Sequence, residues 1–188
     1  MNRIHRWYCS SNHWKRFLKK ELFPRVFSGF DLGNDVLEIG PGPGLTTELL
    51  LEKCERLTCL EIDPAYAEPL RRHMKNANVT VVEGDATRMD FEDGRFSGVV
   101  SLSMMHHVPS PSLQDRLFHE VYRVLRPGGI FIGVDSRQSW GLRLFHWGDT
   151  FVPIDPDRLE PRLRSAGFSA VVVTTEKRAF RFVAGRPL

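Results

Sequence analysis

The chain has 188 residues, 41% hydrophobic and 26% charged, which suits one compact globular domain with a real core. No apolar run approaches the roughly 18 residues of a membrane helix, and the opening MNRIHRWYCS lacks the apolar stretch of a signal peptide. The net charge is only +3, and the three cysteines, Cys9, Cys54 and Cys59, fit no metal-ligand spacing; odd in number and scattered, they point to a reducing, cytoplasmic setting.

The charge is unevenly placed. Between Met1 and Arg25 lie Arg3, Arg6, Lys15, Arg16, Lys19, Lys20 and Arg25, against Glu21 alone. Such an arm can meet phosphates or an acidic partner; a solvated helix face is the plainer alternative. Trp14, Phe17, Leu18 and Leu22 fall at helical spacing, so residues 1–34 are expected to form a helical arm or lid lying on a domain that spans 35–188.

Within that domain two kinds of segment alternate. Asp35–Gly40 is a short apolar run ending in glycine, a buried strand, and Leu45–Cys54 reads as the helix after it. Leu57–Ile62 is a second strand; Pro64 opens the helix Ala65–Lys75, since its missing N–H costs nothing in a first turn. Val79–Glu83 and Phe96–Ser103 are the third and fourth strands. Pro111–Leu125 is helical, with Leu113, Leu117, Val121 and Val124 spaced for one buried face, and Pro127-Gly128-Gly129 stops it before a fifth strand, Ile130–Asp135. Strands that are apolar throughout and alternate with helices imply a parallel sheet covered on both faces. The end differs: after a short helix, Arg158–Ala166, the strands Phe168–Thr174 and Phe180–Val183 are too closely linked for a crossover and must pair antiparallel. Ser139–Pro153 carries Trp140, Phe145, Trp147 and Phe151 with no clear period.

The segment VLEIGPGPG, Val36 to Gly44, carries the chemistry. Gly40, Gly42 and Gly44 follow a strand and precede a helix, where glycine lets a ligand approach the main chain at the carboxyl end of the first strand. The dinucleotide fingerprint needs a glycine at the sixth position, which here is Leu45, and no Gly-Lys-Ser/Thr follows for a Walker loop. Glu38 is a carboxylate inside an apolar strand; it needs donors or a cation, and it suits a ligand with an ammonium or sulfonium better than a phosphate. Capping of the loop's own N–H groups is the alternative. Glu61, 21 positions after Gly40, closes the second strand where a carboxylate can accept from both hydroxyls of a ribose. Asp63 suits the cap of the following helix. Asp85 closes the third strand and either accepts from an adenine amino group or makes a turn after Gly84.

On these residues the chain resembles the class I S-adenosylmethionine-dependent methyltransferases of the small-molecule type. The matching segments are VLEIGPGPG, LEIDPAYAE, VVEGDATRM, FSGVVSLSMMHHV and LRPGGIFIGVD, from Val36 to Asp135, with the terminal hairpin extending the likeness to Arg186. The resemblance implies an α/β, Rossmann-like, mostly parallel seven-stranded sheet in order 3-2-1-4-5-7-6, strand 7 antiparallel, with helices on both faces. It implies S-adenosyl-L-methionine, leaving as S-adenosyl-L-homocysteine, across the carboxyl ends of strands 1 to 4. Glu38 and the backbone of Gly40, Pro41, Gly42 and Gly44 would hold the methionine end, Glu61 and Ile62 the ribose region, Asp85 and Ala86 the adenine, and the backbone near Ser101 the amino-acid part. Two positions depart from the family pattern: Phe96-Ser97 stands where Phe-Asp is common, and Ser101-Leu102-Ser103-Met104 replaces the Asn/Asp-Pro-Pro-aromatic motif of base amino-methylating enzymes.

Methyl transfer from a sulfonium needs no metal; it needs orientation, dryness and, for a protic acceptor, a base. His106 and His107 follow the fourth strand and are the candidates, with at most one expected to face the site; a structural or pocket-lining role for both is the alternative. Trp7, Tyr8, Trp14, Trp140, Phe145 and Trp147 could wall an apolar acceptor pocket or form an accessory core. With no large substrate domain, a small or partly apolar acceptor is expected rather than a folded protein, and Ser101-Leu102-Ser103-Met104 in place of the Pro-Pro motif makes a nucleic acid the less expected partner. An RNA methyltransferase using the basic N-terminal arm and a non-catalytic S-adenosylmethionine-binding protein are the rival readings.

Overall fold

The computed structural model describes residues 11–75 and 77–188, so Arg3, Arg6, Trp7, Tyr8 and Cys9 lie outside it, as do the side chains of Trp14 and Phe145. The chain enters as one helical run: α1 (Asn12–Phe17), a π-helical turn (Leu18–Leu22) and α2 (Phe23–Phe27). Pro24 has no N–H to give to a carbonyl four residues back, and Phe23 N–H reaches Leu18 O instead. The extra residue shifts the buried stripe. Leu18, Phe23, Val26 and Phe27 are buried, while Phe17, expected on that face, is 38% exposed.

Seven strands follow: β1 (Asp35–Ile39), β2 (Arg56–Glu61), β3 (Val79–Glu83), β4 (Phe96–Leu102), β5 (Leu125–Ser136), β6 (Ser169–Thr175) and β7 (Ala179–Gly185). They form one sheet in the order β3-β2-β1-β4-β5-β7-β6. All neighbours are parallel except that β7 runs against both β5 and β6. The architecture expected from the alternation of segments is therefore borne out. The start of the fifth strand differs most from expectation: Leu125 already pairs with Phe96, before Pro127-Gly128-Gly129, and the register resumes at Gly98↔Ile130. The Pro-Gly-Gly unit is a bulge inside β5 rather than a stop ahead of it.

Alternate side chains feed two cores. Leu37, Ile39, Val99 and Phe131 meet α5 (Pro111–Val124) and α7 (Leu159–Ser165) on one face. Val36, Leu57, Val100 and Ile132 meet α2, α3 (Leu45–Leu50) and α4 (Pro64–His73) on the other. The described part of the N-terminal arm thus contributes to the second core. Ser97, where the family commonly has Asp, donates to Leu32 O at 2.7 Å and accepts from Asp35 N at 3.0 Å, tying the arm to the start of β1. The aromatic stretch without a period contains a short helix, α6 (Trp140–Phe145), capped by Ser139 Oγ on Leu142 N at 3.2 Å. Among the described residues no helix is long and apolar enough to cross a membrane.

Candidate active site

A cavity of about 1100 Å³ opens at the carboxyl ends of the parallel strands. Its wall includes Gly40, Pro41 and Gly42 after β1, Glu61 and Ile62 at the end of β2, Asp85 and Ala86 after β3, and His106 and His107 after β4. Nine of the twelve residues singled out in the sequence therefore converge on one space; Glu38, Gly44 and Ser101 are not in its wall.

The three loop glycines do different work. All have positive φ, +66° at Gly40, +53° at Gly42 and +84° at Gly44. A Cβ at Gly40 would lie 2.2 Å from Met104 Cγ, and one at Gly44 would lie 2.4 Å from Leu70 Cδ1, so these two let the loop pack on its neighbours. A Cβ at Gly42 would meet nothing within 4 Å. Gly42, in the cavity wall with Gly40, is the one of the three with open space beside its Cα.

The acids divide likewise. Glu61, 6% exposed, accepts from Gly42 N and from Asp63 N, both at 3.0 Å, one on each oxygen. It braces the glycine loop and retains lone pairs towards the cavity. Asp63 caps α4 by accepting from Ala65 N at 2.9 Å, as expected. Asp85 Oδ1 accepts from Thr87 N at 2.8 Å, the turn that is the alternative to an adenine contact. Glu38 lies behind the loop, 2% exposed, and its donors are side chains: the hydroxyls of Thr46 and of Thr47, the latter at 2.6 Å, with the Cys59 thiol at 3.5 Å. Burial pushes the Glu38 carboxyl above the usual range, and the two threonine hydroxyls oppose that rise. Burial and the neighbouring carboxylate likewise raise the Cys59 thiol. Ser101 is wholly buried inside β4, paired between Ile39 and Gly133.

After β4 the chain is strained and then tightly wound. Ser103, in the cavity wall, has φ of +55°, a conformation that costs a non-glycine residue roughly 1–3 kcal/mol. Met105–His107 is a 3₁₀ turn. The expectation that at most one of the two histidines faces the site is corrected here. Both are in the wall, with ring centroids 4.3 Å apart, because successive side chains of a 3₁₀ turn are not opposed as in a strand. His106 is 3% exposed, and Asp135 at the end of β5 accepts from its Nδ1 at 2.5 Å and from its backbone N at 3.0 Å. Its Nε2 is buried with no hydrogen-bond partner.

The rest of the wall was not legible in the sequence. His146, at the end of α6, stands 5.0 Å from His106 and 5.3 Å from His107, centroid to centroid, and stacks on Phe151. Burial pushes its imidazole below the ordinary value, so it is neutral near pH 7. Ser136–Ser139, Asp149 and Thr150 also contribute, as do Leu18 from the arm and Lys177 and Arg178 from the β6–β7 turn. Trp140 and Trp147 are not in the wall; they are 81% and 79% exposed. Two arm cations are in ion pairs, Lys15 with Glu48 at 2.7 Å and Arg25 with Glu176.

A glycine cradle, acids at the ends of the next two strands and a large cavity across the carboxyl edge define an α/β protein built to hold a nucleoside-bearing ligand. Residues 37–133 match the family described as methyltransferase domain, and the chain belongs to that family. Human thiol S-methyltransferase TMT1B is 30% identical over 152 residues, covering 76% of this chain and 60% of that protein. The probable ribosomal RNA small subunit methyltransferase A of Thermococcus onnurineus is 39% identical over 80 residues, 42% of this chain and 28% of that protein. The chain therefore spans only part of the length of these relatives. Among solved structures, phosphoethanolamine N-methyltransferase 2 of Haemonchus contortus in complex with S-adenosyl-L-methionine superposes with a TM-score of 0.78 at 16% identity, over 98% of this chain and 56% of that one. At that identity the likeness is one of fold.

Proposed function

We propose that this chain is an S-adenosylmethionine-dependent methyltransferase acting on a small, partly apolar acceptor. The observation that carries the reading is the joint placement of Gly42 and Glu61. They are bonded to each other at 3.0 Å on the wall of a cavity of about 1100 Å³, large for one small molecule and sufficient for a donor and an acceptor. The family membership and the donor named in the Haemonchus complex support it.

In this reading the bare backbone of Gly40, Pro41 and Gly42 holds the methionine end. Gly44 sets the turn into α3, and Glu38 ties that turn down from behind the loop through the hydroxyls of Thr46 and Thr47. Glu61 accepts from the ribose hydroxyls with the lone pairs its two N–H partners leave. Ile62, 67% exposed beside the cavity, offers an apolar face to the base, and Asp85 and Ala86 border its amino edge. The backbone of β4 at Ser101 closes the amino-acid side. Bound there, S-adenosylmethionine supplies an electrophilic methyl group on a good leaving group.

The chain's own residues then do three things. Leu18, Met104, Val108 and Leu142 line the space with apolar groups and keep water from the reacting atoms. Asp135 holds His106 with Nδ1 protonated, leaving Nε2 as the basic atom. That nitrogen takes the acceptor's proton as the new bond forms, so a thiol or hydroxyl acceptor suits the site. The name of the human relative, a thiol S-methyltransferase, favours sulfur.

A ribosomal-RNA reading draws on the Thermococcus relative, whose match covers 42% of this chain. Ser101-Leu102-Ser103-Met104 in place of a Pro-Pro motif, and two arm cations spent on Glu48 and Glu176, speak against it. The deciding experiment is incubation with methyl-labelled S-adenosylmethionine and a panel of small thiols, phenols and alcohols, beside an rRNA fragment at low salt. Label on a small acceptor is expected. Label on RNA alone would replace this function by the other, and donor binding without transfer to anything would leave a non-catalytic binding protein.

A further inference from the structure

We infer that His106, His107 and His146 form a binding site for a divalent transition-metal ion of the zinc type, with one coordination position open to the cavity. One ring nitrogen of each lies within 4.8 Å of one from each of the others. The three arrive from two separate places, a 3₁₀ turn after β4 and the end of α6, 39 residues apart between His107 and His146. Sequence spacing therefore gives no hint of the cluster.

The hydrogen bonds of the rings make this more than a coincidence of three imidazoles. Asp135 Oδ1 meets His106 Nδ1 at 2.5 Å, Thr150 O meets His107 Nδ1 at 3.1 Å, and Leu142 O meets His146 Nδ1 at 2.8 Å. A carbonyl oxygen can only accept, and a carboxylate accepts as well, so all three rings carry their proton on Nδ1. In the neutral form of such a ring Nε2 carries the lone pair. That is the arrangement in which histidine ligates metal: one nitrogen anchored to a carboxylate or carbonyl, the other presented to the ion. His106 supplies a second sign. Its Nε2 is buried and has no hydrogen-bond partner, a costly state that a metal bond relieves.

Three imidazoles with an open fourth position match a catalytic rather than a closed structural zinc site. Zinc–nitrogen bonds of about 2.1 Å set ligand nitrogens about 3.4 Å apart, so the rings draw together by roughly an ångström on binding. His107 and His146, on a short turn and a helix end, can rotate to do so; His106, clamped twice by Asp135, is the fixed ligand and Asp135 its positioning residue. Because all three rings are in the cavity wall, the open position faces the space assigned to the acceptor. An anionic sulfur or oxygen of that acceptor is the group it would take. Nε2 of His106 cannot hold the ion and a proton together, so with the ion bound the acceptor would release its proton to solvent and its anion would be held by the ion.

The site stands without reference to the methyl donor, and its test needs neither donor nor turnover. Protein stripped with a chelator is titrated with Zn²⁺ by calorimetry and with Co²⁺ by visible absorption. One equivalent should bind, with the intense Co²⁺ bands of a four-coordinate site. His107→Ala and His146→Ala should each weaken binding at least a hundredfold, and Asp135→Asn by about 10- to 100-fold; His73→Ala, on a ring elsewhere that pairs with Glu48, should leave it unchanged. Absence of a stoichiometric site in the wild-type protein, or an octahedral Co²⁺ spectrum, overturns the inference whatever the variants do. So does affinity that His107→Ala leaves intact. S-adenosylhomocysteine titration of the same samples separates the two readings, since loss of one ligand's binding leaves the other's unaffected.

Discussion

Replacing Glu61 by alanine tests the link between the glycine loop and the donor. In the structure its carboxylate is 6% exposed and accepts two backbone N–H bonds at 3.0 Å, from Gly42 and Asp63. Hydrogen bonds to a charged group contribute about 1.5–3 kcal/mol each. The Gly42 N–H borders the cavity, so water replaces its lost acceptor, and most of that loss does not fall on folding. What binding loses is the ribose acceptor and the fixed loop, together about 1.5–3 kcal/mol, or roughly 10- to 150-fold in affinity. Glu61→Gln should fall nearly as far, because the amide must turn its NH2 group towards one of the two N–H donors. The assay is calorimetric titration with S-adenosylhomocysteine, with thermal melting as the control for folding. Wild-type affinity in both variants, at unchanged melting temperature, would mean that Glu61 does not touch the ligand and that its service is to the loop alone.

Other expectations bear on the scaffold around the site. Gly40→Ala combines a positive φ with a Cβ 2.2 Å from Met104 Cγ and should cost about 2–5 kcal/mol, whereas Gly42→Ala meets open space and should cost about 1–2 kcal/mol of strain; urea denaturation midpoints rank the two, and equal losses would contradict the packing argument. Glu38 has a raised folded-state pKa, so its contribution is fully present below the unfolded value and is lost as pH rises through the folded one. Stability of the wild type relative to Glu38→Gln should therefore decline from about pH 4.5 upward, and a flat difference in urea melts across that range would refute the assignment. Gly133→Ala places a Cβ 2.2 Å from Phe182 Cε1, and should destabilise by about 1–3 kcal/mol through the β5–β7 packing. Gly133→Ala combined with Phe182→Leu should recover part of the loss.

How far the sequence could be read depended on the range of the interactions involved. The strands β1 to β5 and their helices were visible because two-sided burial writes an apolar run, and the reversed β7 because a short link forbids a crossover. Glu61 and Asp63 were separable because one ends a strand and the other precedes Pro64. Glu38 was visible as a buried charge needing donors, but its partners were not. Thr46 and Thr47 lie on the first turn of α3, and only the turn through Gly44 brings them back over β1. The π turn at Leu18–Leu22 and the bulge in β5 escaped because a single inserted residue changes the period without changing composition. The contribution of His146 escaped most completely, since it depends on a fold-back of the chain between β5 and α7.

That contrast separates the two halves of the cavity. In the proposed function one half of the cavity takes the donor and the other the acceptor; the proposed donor half is made of residues within a few positions of strand ends, each fixed by a local backbone requirement: the positive φ of the glycines, the cap at Asp63, the turn at Asp85. The acceptor half is assembled from a 3₁₀ turn, the segment 136–150 and the β6–β7 turn, held by long-range contacts such as Val152 N to His106 O at 2.7 Å and Gln114 Nε2 to Val152 O at 2.8 Å. On that proposal, substitutions in the acceptor half should alter what is methylated without disturbing the loop assigned to the donor. Asp135 is the exception. It ends a core strand, is 1% exposed, and its carboxylate accepts from His106 N, His106 Nδ1 and Ser136 N. A change at Asp135 reaches the histidine wall through the sheet itself, which makes it the residue whose loss couples acceptor chemistry to the rigidity of the fold.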